Sequence, residues 1–500
     1  MNNKHTYIDY VQECFDVLIE YGTDRYGEKQ APILVSILDV ESRSCPENPD
    51  QLDEQWRVQR RGRRNPAGAN MLMDMPTLKT MFLLSKVAEN DKYAGFARTY
   101  MDYYMKNLVD SKGFFWWGWH RHYDVYKDEM TGHNGNPHEL HATHYIPWDK
   151  LWEINSSAVL KEIEAIWQWH VCDKATGEID RHDSDSQGCD FSISSGSFIH
   201  AFAFLYSQTK EDIWLSRAKL LATYYWDRRN KATNLFPERP NAGTERFDGS
   251  HFVTTIPGLH CHALLKTYEL TVDELFKDYA VAYLSAYAKY GFDENTGKFW
   301  GSLNLDGTPV FGPQIMEGYA ANEPRGHLDL WGPYVLGYQA PIYTAQAYAY
   351  AYHLTKDESF LTTAKRFANL IEKAPPTNGC LEESWYKGYA QQYAPYGTYA
   401  GKYGRVISFF IYLYILTKED RYLEFAKDVA DEAIDKLYFT GLFRGHPVKP
   451  YYEATDGVGF LLYSLLELSQ VIESPREVLG KQAILVGKWD DKLTISLDNR

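Results

Sequence analysis

Half of the sixteen histidines in this 500-residue sequence lie between residues 116 and 190. This region reads WWGWHRHYD, then GHNGNPHELHATHYIPWDKLW, then EIDRHDSDSQGCDFS. Imidazole nitrogens together with one carboxylate are suitable ligands for Mn, Fe, Co, Ni or Zn. The pattern therefore predicts either a divalent-metal site or a polar sugar cleft that histidines line without a metal. The histidines are His120, His122, His133, His138, His141, His144, His170 and His182.

Four residues of this region are the candidate metal ligands. His120 and His122 are two positions apart, and an extended segment places both side chains on one face. Glu139 supplies a carboxylate, and His182 directly follows Arg181. The expected cofactor is a divalent metal, although no two histidines show the fixed spacing of a metalloprotease helix.

A second group of residues favours hydrolysis by paired carboxylates. The segment IMEGYAANEPRGHLDLWGPY combines carboxylates, an arginine and a tryptophan, as a uronide pocket would need. The catalytic pair stays open, because the separation of two carboxylates in space decides it. The candidates are Asp190, Glu317, Glu323, Asp329, Glu382 and Glu383.

The composition favours a sugar over a nucleic acid as the substrate. Aromatic residues make up 15% of the chain, with 39 Tyr and 14 Trp, and such rings offer flat faces with a polar tip. The formal net charge of −15 argues against nucleic-acid binding, which needs a basic surface. The expected partner is an acidic oligosaccharide, bound by Trp117, Trp119, Arg121, His144 and Trp331.

A repeated pattern predicts the elements that position these side chains. An acidic turn is followed by an aromatic residue and, four positions later, by alanine, which places both on one helix face. The aromatic positions are 121, 62, 84 and 62 residues apart, so the first interval hides one unit, expected at Asn155–His170. The pairs are Tyr93 and Ala97, Trp214 and Ala218, Phe276 and Ala280, Phe360 and Ala364, and Tyr422 and Ala426.

The fold class that follows is all-α, an (α/α)6 or (α/α)7 toroid of helical hairpins with short β segments in rim loops. Nearly all-apolar stretches such as SGSFIHAFAFLYSQT predict inner helices that are buried on both sides. Glycine turns such as DKATGEI and DENTGKF predict the short strands. An open helical solenoid is the alternative. The toroid is expected to span residues 1–482, and a β-hairpin tail to occupy residues 483–500.

His120, Glu139 and the Arg181–His182 pair, in this order, resemble the metal-dependent pectate lyases of polysaccharide lyase family 2. The resemblance covers about 65 residues and includes the stretch from His120 to His182. It implies a divalent metal, with Mn favoured, held by two histidines and the glutamate. It also implies β-elimination on short oligogalacturonides, with the arginine beside the second histidine as the base. Arg246 and Arg325 are the candidates for a second arginine at the substrate.

The chemistry of elimination agrees with these residue types. The proton on C5 of a uronate becomes acidic when a metal or an arginine neutralises the carboxylate. Arginine is normally always protonated, so Tyr145 or a histidine is an alternative base. The first hypothesis is a uronate lyase. The alternatives are a six-hairpin glycosidase acting on a uronide, a sugar epimerase or isomerase on a related barrel, and a helical scaffold without catalysis.

The expected location is the cytoplasm. The N-terminus MNNKHTYIDYVQECFDVLIEYG shows no secretory signal, and no run of 18 apolar residues predicts a membrane span. The lyase family resembled here is intracellular, which implies the same location. The scattered cysteines are expected to be reduced thiols. A homodimer is compatible with a toroid of this size, although no surface patch demands one.

Overall fold

The computed structural model describes most of the chain as two compact units. The described residues are 5–47, 68–133, 135–140, 146–241, 250–312, 325–328, 330, 341–374, 397–447 and 449–473. One unit comprises Met1–His138, Asp149–Ala158 and Tyr393–Arg500. The other comprises Glu139–Trp148 and Val159–Gln392. They are called the first and the second unit below.

Long helices make up most of both units. In chain order they are α1 (Tyr7–Tyr21), α2 (Met71–Val87), α3 (Lys92–Asn107), α4 (Trp148–Trp169), α5 (Ser192–Thr209), α6 (Asp212–Asp227), α7 (Cys261–Thr271), α8 (Glu274–Tyr290), α9 (Pro341–Thr355), α10 (Glu358–Lys373), α11 (Ala400–Thr417), α12 (Asp420–Leu437) and α13 (Val458–Glu473). A π-helical turn, Ile256–His260, leads into α7. None of the described helices is long and apolar enough to cross a membrane.

The strands are short and mostly form hairpins. They are β1 (Ile37–Asp39), β2 (Gly68–Ala69), β3 (Arg121–Asp124), β4 (Glu129–Gly132), β5 (Val171–Asp173), β6 (Glu178–Ile179), β7 (Phe252–Val253), β8 (Phe292–Asp293), β9 (Lys298–Phe299), β10 (Ser302–Leu303), β11 (Tyr438–Phe439), β12 (Leu442–Phe443) and β13 (Tyr451–Glu453). All the named strand pairs are antiparallel, and β2, β3 and β4 form a three-stranded sheet in that order.

Each unit is built in two helical layers. In the first unit, α2, α11 and α13 pack side by side, with α1, α3 and α12 against their outer faces. In the second unit, α5, α7 and α9 form the inner layer and α6, α8 and α10 the outer layer. Gly196 of α5 permits this close packing, since a Cβ there would lie 3.1 Å from the Cβ of Ala263 in α7.

The repeated aromatic–alanine pairs lie on the outer helices, as predicted. Every pair is buried, in α3, α6, α8, α10 and α12. The expected hidden unit is the second part of α4, which begins after the non-helical backbone of Asn155. The all-apolar stretches form the inner helices α5 and α9. Two-sided burial of one layer and one-sided burial of the other explain the two sequence patterns.

The predicted glycine turns also produce hairpins. DKATGEI joins β5 to β6, DENTGKF joins β8 to β9, and YFTGLF joins β11 to β12. In the DKATGEI turn, Gly177 has φ +85°, a backbone conformation that favours glycine. The all-α class with short β segments is therefore confirmed. Ring closure and the number of hairpins stay predictions, and the expected tail at residues 483–500 lies outside the described residues.

Candidate active site

The sheet β2–β3–β4 of the first unit positions the two early histidines. His122 lies in β3 and pairs with Thr131 of β4. His120 directly precedes β3, and its carbonyl accepts a hydrogen bond of 2.9 Å from the amide of His133. Both imidazoles are buried. The strand thus fixes the backbone of both predicted ligands in the first unit.

Trp117 and Trp119, predicted to bind sugar, are both buried. The indole Nε1 of Trp117 donates to His138 Nε2 at 3.1 Å. The ring of His138 stacks on Phe114 with centroids 4.0 Å apart. These contacts place Trp117 in a packed aromatic core, so a sugar would need a rearrangement to reach its ring.

Arg121 has partners within the first unit that suit a structural role. Its Nη1 donates to Asp110 Oδ2 at 2.8 Å, and its Nε donates to the carbonyl of Asn136 at 2.9 Å. Its guanidinium also lies 4.5 Å from the ring centroid of Trp116. Its predicted role in substrate binding stays a prediction, and this geometry does not favour it.

In the second unit, Glu139 lies beside the predicted base and the predicted second histidine ligand. Glu139 Oε1 is 3.7 Å from Arg181 Nε, and Glu139 Oε2 is 3.6 Å from His182 Nε2. Both separations exceed normal hydrogen-bond lengths. Glu139 and Arg181 are buried, whereas 22% of the His182 side chain is exposed. Three ionisable groups thus converge at one place, with His182 on its open side.

The separation of these donor atoms suits a metal ion. An ion that binds a carboxylate oxygen and an imidazole nitrogen at about 2.1 Å holds them roughly 3–4 Å apart. The observed 3.6 Å between Glu139 and His182 lies within that range. The residues of the second unit therefore fit the implied metal. The assignment of His120 and His122 to the same ion stays a prediction.

A rigid turn after β6 holds Arg181 and His182 in place. The amide of Asp180 donates to the carbonyl of His170 at 2.7 Å, and His170 Nδ1 lies 2.8 Å from the carbonyl of Asp180. The amide of Arg181 donates to the carbonyl of Cys189 at 3.0 Å, and the amide of His182 to Asp180 Oδ1 at 2.9 Å. These bonds fix the backbone direction from which both side chains leave.

A second buried arginine lies at the same aromatic ring as Arg181. The guanidinium carbon of Arg181 is 4.4 Å from the ring centroid of Phe191, and that of Arg239 is 5.7 Å from it. Arg239 is 1% exposed. The sequence analysis missed this residue, because its context FPERPN carries no signal that separates it from other arginines.

Asp190, a predicted hydrolytic carboxylate, is fully buried beside a second acid, Glu238. Asp190 Oδ2 accepts from the Tyr224 hydroxyl at 2.6 Å and from the amide of Asn241 at 2.8 Å. Burial raises the pKa of Asp190 to about 6.

Glu238 Oε2 accepts from the Ser192 hydroxyl at 2.7 Å and from the Thr255 hydroxyl at 3.0 Å. Burial raises the pKa of Glu238 to about 7. These hydrogen bonds connect the start of α5 to the segment before α7. Glu238 is not among the carboxylates predicted from the sequence, because nothing in its sequence context distinguishes it from the other acidic residues.

Several predicted residues cannot be located in this site. Arg325 is partly exposed, and its Nη1 donates to the carbonyl of Phe311 at 3.4 Å. The remaining candidates lie outside the described residues. They are the predicted catalytic residues Tyr145 and Glu317, the substrate-binding candidates His144, Arg246 and Trp331, and the further carboxylates Glu323, Asp329, Glu382 and Glu383.

Comparison with known proteins supports the predicted resemblance. Residues 53–195 match the model of a family described as periplasmic pectate lyase. A stretch of 118 residues is 27% identical to a pectate disaccharide-lyase of Dickeya dadantii (strain 3937). This stretch is 23% of the chain and spans about one fifth (21%) of the relative's length. The resemblance to pectate lyases is confirmed over this part of the chain, and the prediction of a carbohydrate-active enzyme is supported.

Solved structures give weaker likenesses over more of the chain. A family 76 glycoside hydrolase from a bovine Bacteroides thetaiotaomicron strain aligns with a TM-score of 0.45 and 14% identity, over 94% of this chain and 78% of that chain. A cellobiose 2-epimerase from Bacillus thermoamylovorans B4167 aligns with a TM-score of 0.47 and 10% identity, over 93% and 99%. Likenesses at this level do not distinguish between a lyase, a hydrolase and an epimerase.

The expected cytoplasmic location is wrong. The matching family is described as periplasmic, which points to a location outside the cytoplasm. That expectation came from the lack of a secretory-signal pattern in residues 1–22 and from the intracellular location of the lyase family that the sequence resembles. A helical core is compatible with either compartment, so the fold does not decide the location.

Proposed function

We propose that this protein is a lyase that cleaves an acidic, pectate-like oligosaccharide by metal-assisted β-elimination. The observation that carries the proposal is the convergence of Glu139, Arg181 and His182, with separations of 3.6 and 3.7 Å. All three residues lie in the part of the chain that matches the pectate lyase family. Elimination needs a group that neutralises the uronate carboxylate and a base that removes the C5 proton.

Glu139 and His182 would hold the metal, together with His120 and with His122 as a further candidate. Carboxylate and imidazole ligands suit a divalent transition-metal ion. Mn²⁺ is preferred because the pectate lyase family that the chain resembles favours it. When bound, the ion supplies positive charge that neutralises the substrate carboxylate and stabilises the carbanion that forms beside it.

Arg181 is proposed as the base. Beside Glu139 alone its guanidinium stays protonated, because a nearby negative charge favours the cation. Compensation of the Glu139 charge by a bound cation removes this preference and lowers the cost of a neutral guanidinium. The hydrogen bond from the amide of Arg181 to the carbonyl of Cys189 fixes the backbone from which the Arg181 side chain extends, next to His182. Tyr145 is the alternative base.

The test is an absorbance assay on oligogalacturonate, combined with metal analysis of the purified protein. We expect near-stoichiometric metal and growth of ultraviolet absorbance, since elimination creates a C4–C5 double bond. A chelator should stop the growth and added Mn²⁺ should restore it. Absence of a new absorbance with Mn²⁺ present would contradict the proposal.

A hydrolase that uses Asp190 is the second candidate, because a carboxyl group with a raised pKa suits a general acid. Its full burial and its hydrogen bonds to Tyr224 and Asn241 are equally consistent with a structural role. The same assay separates the two. Asp190→Asn should retain absorbance growth if the protein is a lyase. Sugar release without absorbance, abolished in Asp190→Asn, would establish the hydrolase.

A further inference from the structure

A second group of side chains that could ligate a metal also includes His182. One ligand atom each from Asp180, His182 and Cys189 lies within 4.8 Å of the other two. All three residues belong to the second unit. A thiol is absent from the proposed Mn²⁺ site, so this group has a different chemical preference.

Backbone contacts bring the thiol to this position. Asp180 and Cys189 form a parallel bridge, and the amide of Arg181 donates to the carbonyl of Cys189 at 3.0 Å. Gly188, with φ +85°, turns the chain just before Cys189, and its amide donates to Glu178 Oε1 at 2.9 Å. The eight residues between Asp180 and Cys189 are thereby closed into a loop whose ends are fixed.

The Asp180 carboxylate retains ligating capacity. Asp180 Oδ1 accepts from the amide of His182 at 2.9 Å, and Oδ2 accepts from the amide of Ser186 at 3.0 Å and from the Ser184 hydroxyl. Each carboxylate oxygen has two lone pairs, so Oδ1 can still bind an ion. Cys189 is 3% exposed, whereas the partly exposed His182 offers an entry path.

We propose that Asp180, His182 and Cys189 form a second metal site, selective for thiophilic ions such as Zn²⁺ and Cd²⁺. A tetrahedral ion with one sulfur ligand and two lighter ligands holds its donor atoms roughly 3.3–3.8 Å apart. Side-chain movements of about 1 Å would bring the three atoms from their present separation to that distance. Water completes the coordination.

Binding forms one metal–sulfur bond and releases the thiol proton to solvent, with no change in oxidation state. Soft thiolate favours Zn²⁺ or Cd²⁺ over Mn²⁺, which prefers oxygen ligands. Because His182 is common to both groups, an ion in this site restrains the imidazole that the proposed Mn²⁺ site uses. Thiophilic ions should therefore inhibit the enzyme. The existence of this site does not depend on the lyase function.

Titration of the metal-free, full-length protein with Co²⁺ tests the proposal, because a cobalt–thiolate bond gives a charge-transfer absorption that oxygen and nitrogen ligands do not. We expect the intensity of this band to saturate when one Co²⁺ ion per chain occupies the Asp180–His182–Cys189 site. Cys189→Ser should abolish it. Cys172→Ser is the matched control, since Cys172 is another free thiol of the same unit and lies outside the cluster. It should keep the band.

Two further variants separate the possible failures. Cys189→Ala preserves apolar contact with its cluster of Phe191, Ile193 and Leu259, so it reports on the thiol if serine disturbs folding. His120→Ala should lose the proposed lyase activity and keep the cobalt band. Absence of the band from the unaltered protein, its persistence in both Cys189 variants, or its loss in Cys172→Ser would overturn the proposal. A band without any lyase activity would overturn the proposed function alone.

Discussion

Two buried polar clusters, one in each unit, differ in the separation between their carboxylates and the nitrogen atoms beside them. In the first unit, Lys449 Nζ lies 2.9 Å from Glu453 Oε2 and 2.5 Å from Asp456 Oδ2. In the second unit, Glu139 Oε2 lies 3.6 Å from His182 Nε2, and Glu139 Oε1 lies 3.7 Å from Arg181 Nε. The first cluster consists of ion pairs at hydrogen-bond distance, whereas the separation of Glu139 and His182 in the second matches that of two ligands of one ion.

Electrostatic attraction stabilises the Lys449 cluster. Burial alone would lower the pKa of Lys449, but the charges of Asp456 and Glu453 raise it well above its usual range. Burial would raise the pKa of Glu453, yet Lys449 holds it below its usual range. All three side chains are at most 7% exposed. The Lys449 cluster is thus a structural tie between β13 and its neighbours, and the Glu139 cluster, with the partly open His182, is the one suited to chemistry.

The largest expected effect comes from His182. His182→Ala should lower lyase activity by about a thousandfold, because loss of an imidazole ligand removes the charge that stabilises the transition state. The thermal midpoint should change little. His327→Ala is the control, because His327 also pairs with a carboxylate, Asp293, at 3.0 Å in the same unit. If the His182 and His327 variants had equal activity, the Glu139 cluster would not be the reactive one of the two clusters.

A large effect on stability is expected from Lys449. Lys449→Met leaves two buried carboxylates without their cation, which should cost about 3–5 kcal/mol in the free energy of unfolding. Denaturant unfolding measures this loss. Lys106→Met is the control, because both Lys106 and its partner Asp102 are exposed, and it should cost about 1 kcal/mol or less. Equal losses of unfolding free energy in the two variants would show that the Lys449 cluster contributes no more to stability than an ordinary ion pair.

A smaller effect, on the pH dependence of stability, is expected from Glu467 of the first unit. This carboxyl group is fully buried and accepts from the Ser408 hydroxyl at 2.6 Å. Burial raises its pKa to about 8. Between the ordinary pKa near 4.5 and about 8, the folded state binds more protons than the unfolded state, so stability falls as the pH rises.

Glu467→Gln should therefore flatten this fall, by on the order of 1–3 kcal/mol between pH 5 and pH 8. Urea unfolding at several pH values gives the slope. Glu424→Gln, at an exposed position beside Lys427, should leave the slope as it is. A steeper fall in the Glu467 variant would contradict the assignment of a protonated buried acid.

The sequence by itself determined the local elements and the likeness to pectate lyases. The aromatic–alanine pairs, such as Tyr93 and Ala97, predict the outer helices because i and i+4 side chains must share a face. Glycine turns such as that at Gly177 predict the hairpins, since few other residues adopt their backbone. The order of Glu139, Arg181 and His182 likewise indicated a pectate lyase before any distance was known.

Only the tertiary structure decided which polar side chains are available for chemistry. Arg121 and Asp190 have the residue types of a sugar site, but the fold buries them against Asp110 and Tyr224. Arg239 carried no sequence signal, yet packing brings it to the ring that Arg181 also contacts. Burial and partner geometry depend on contacts between distant segments, and no local periodicity encodes them. For that reason the helices were predictable from sequence, whereas the roles of these polar residues were not.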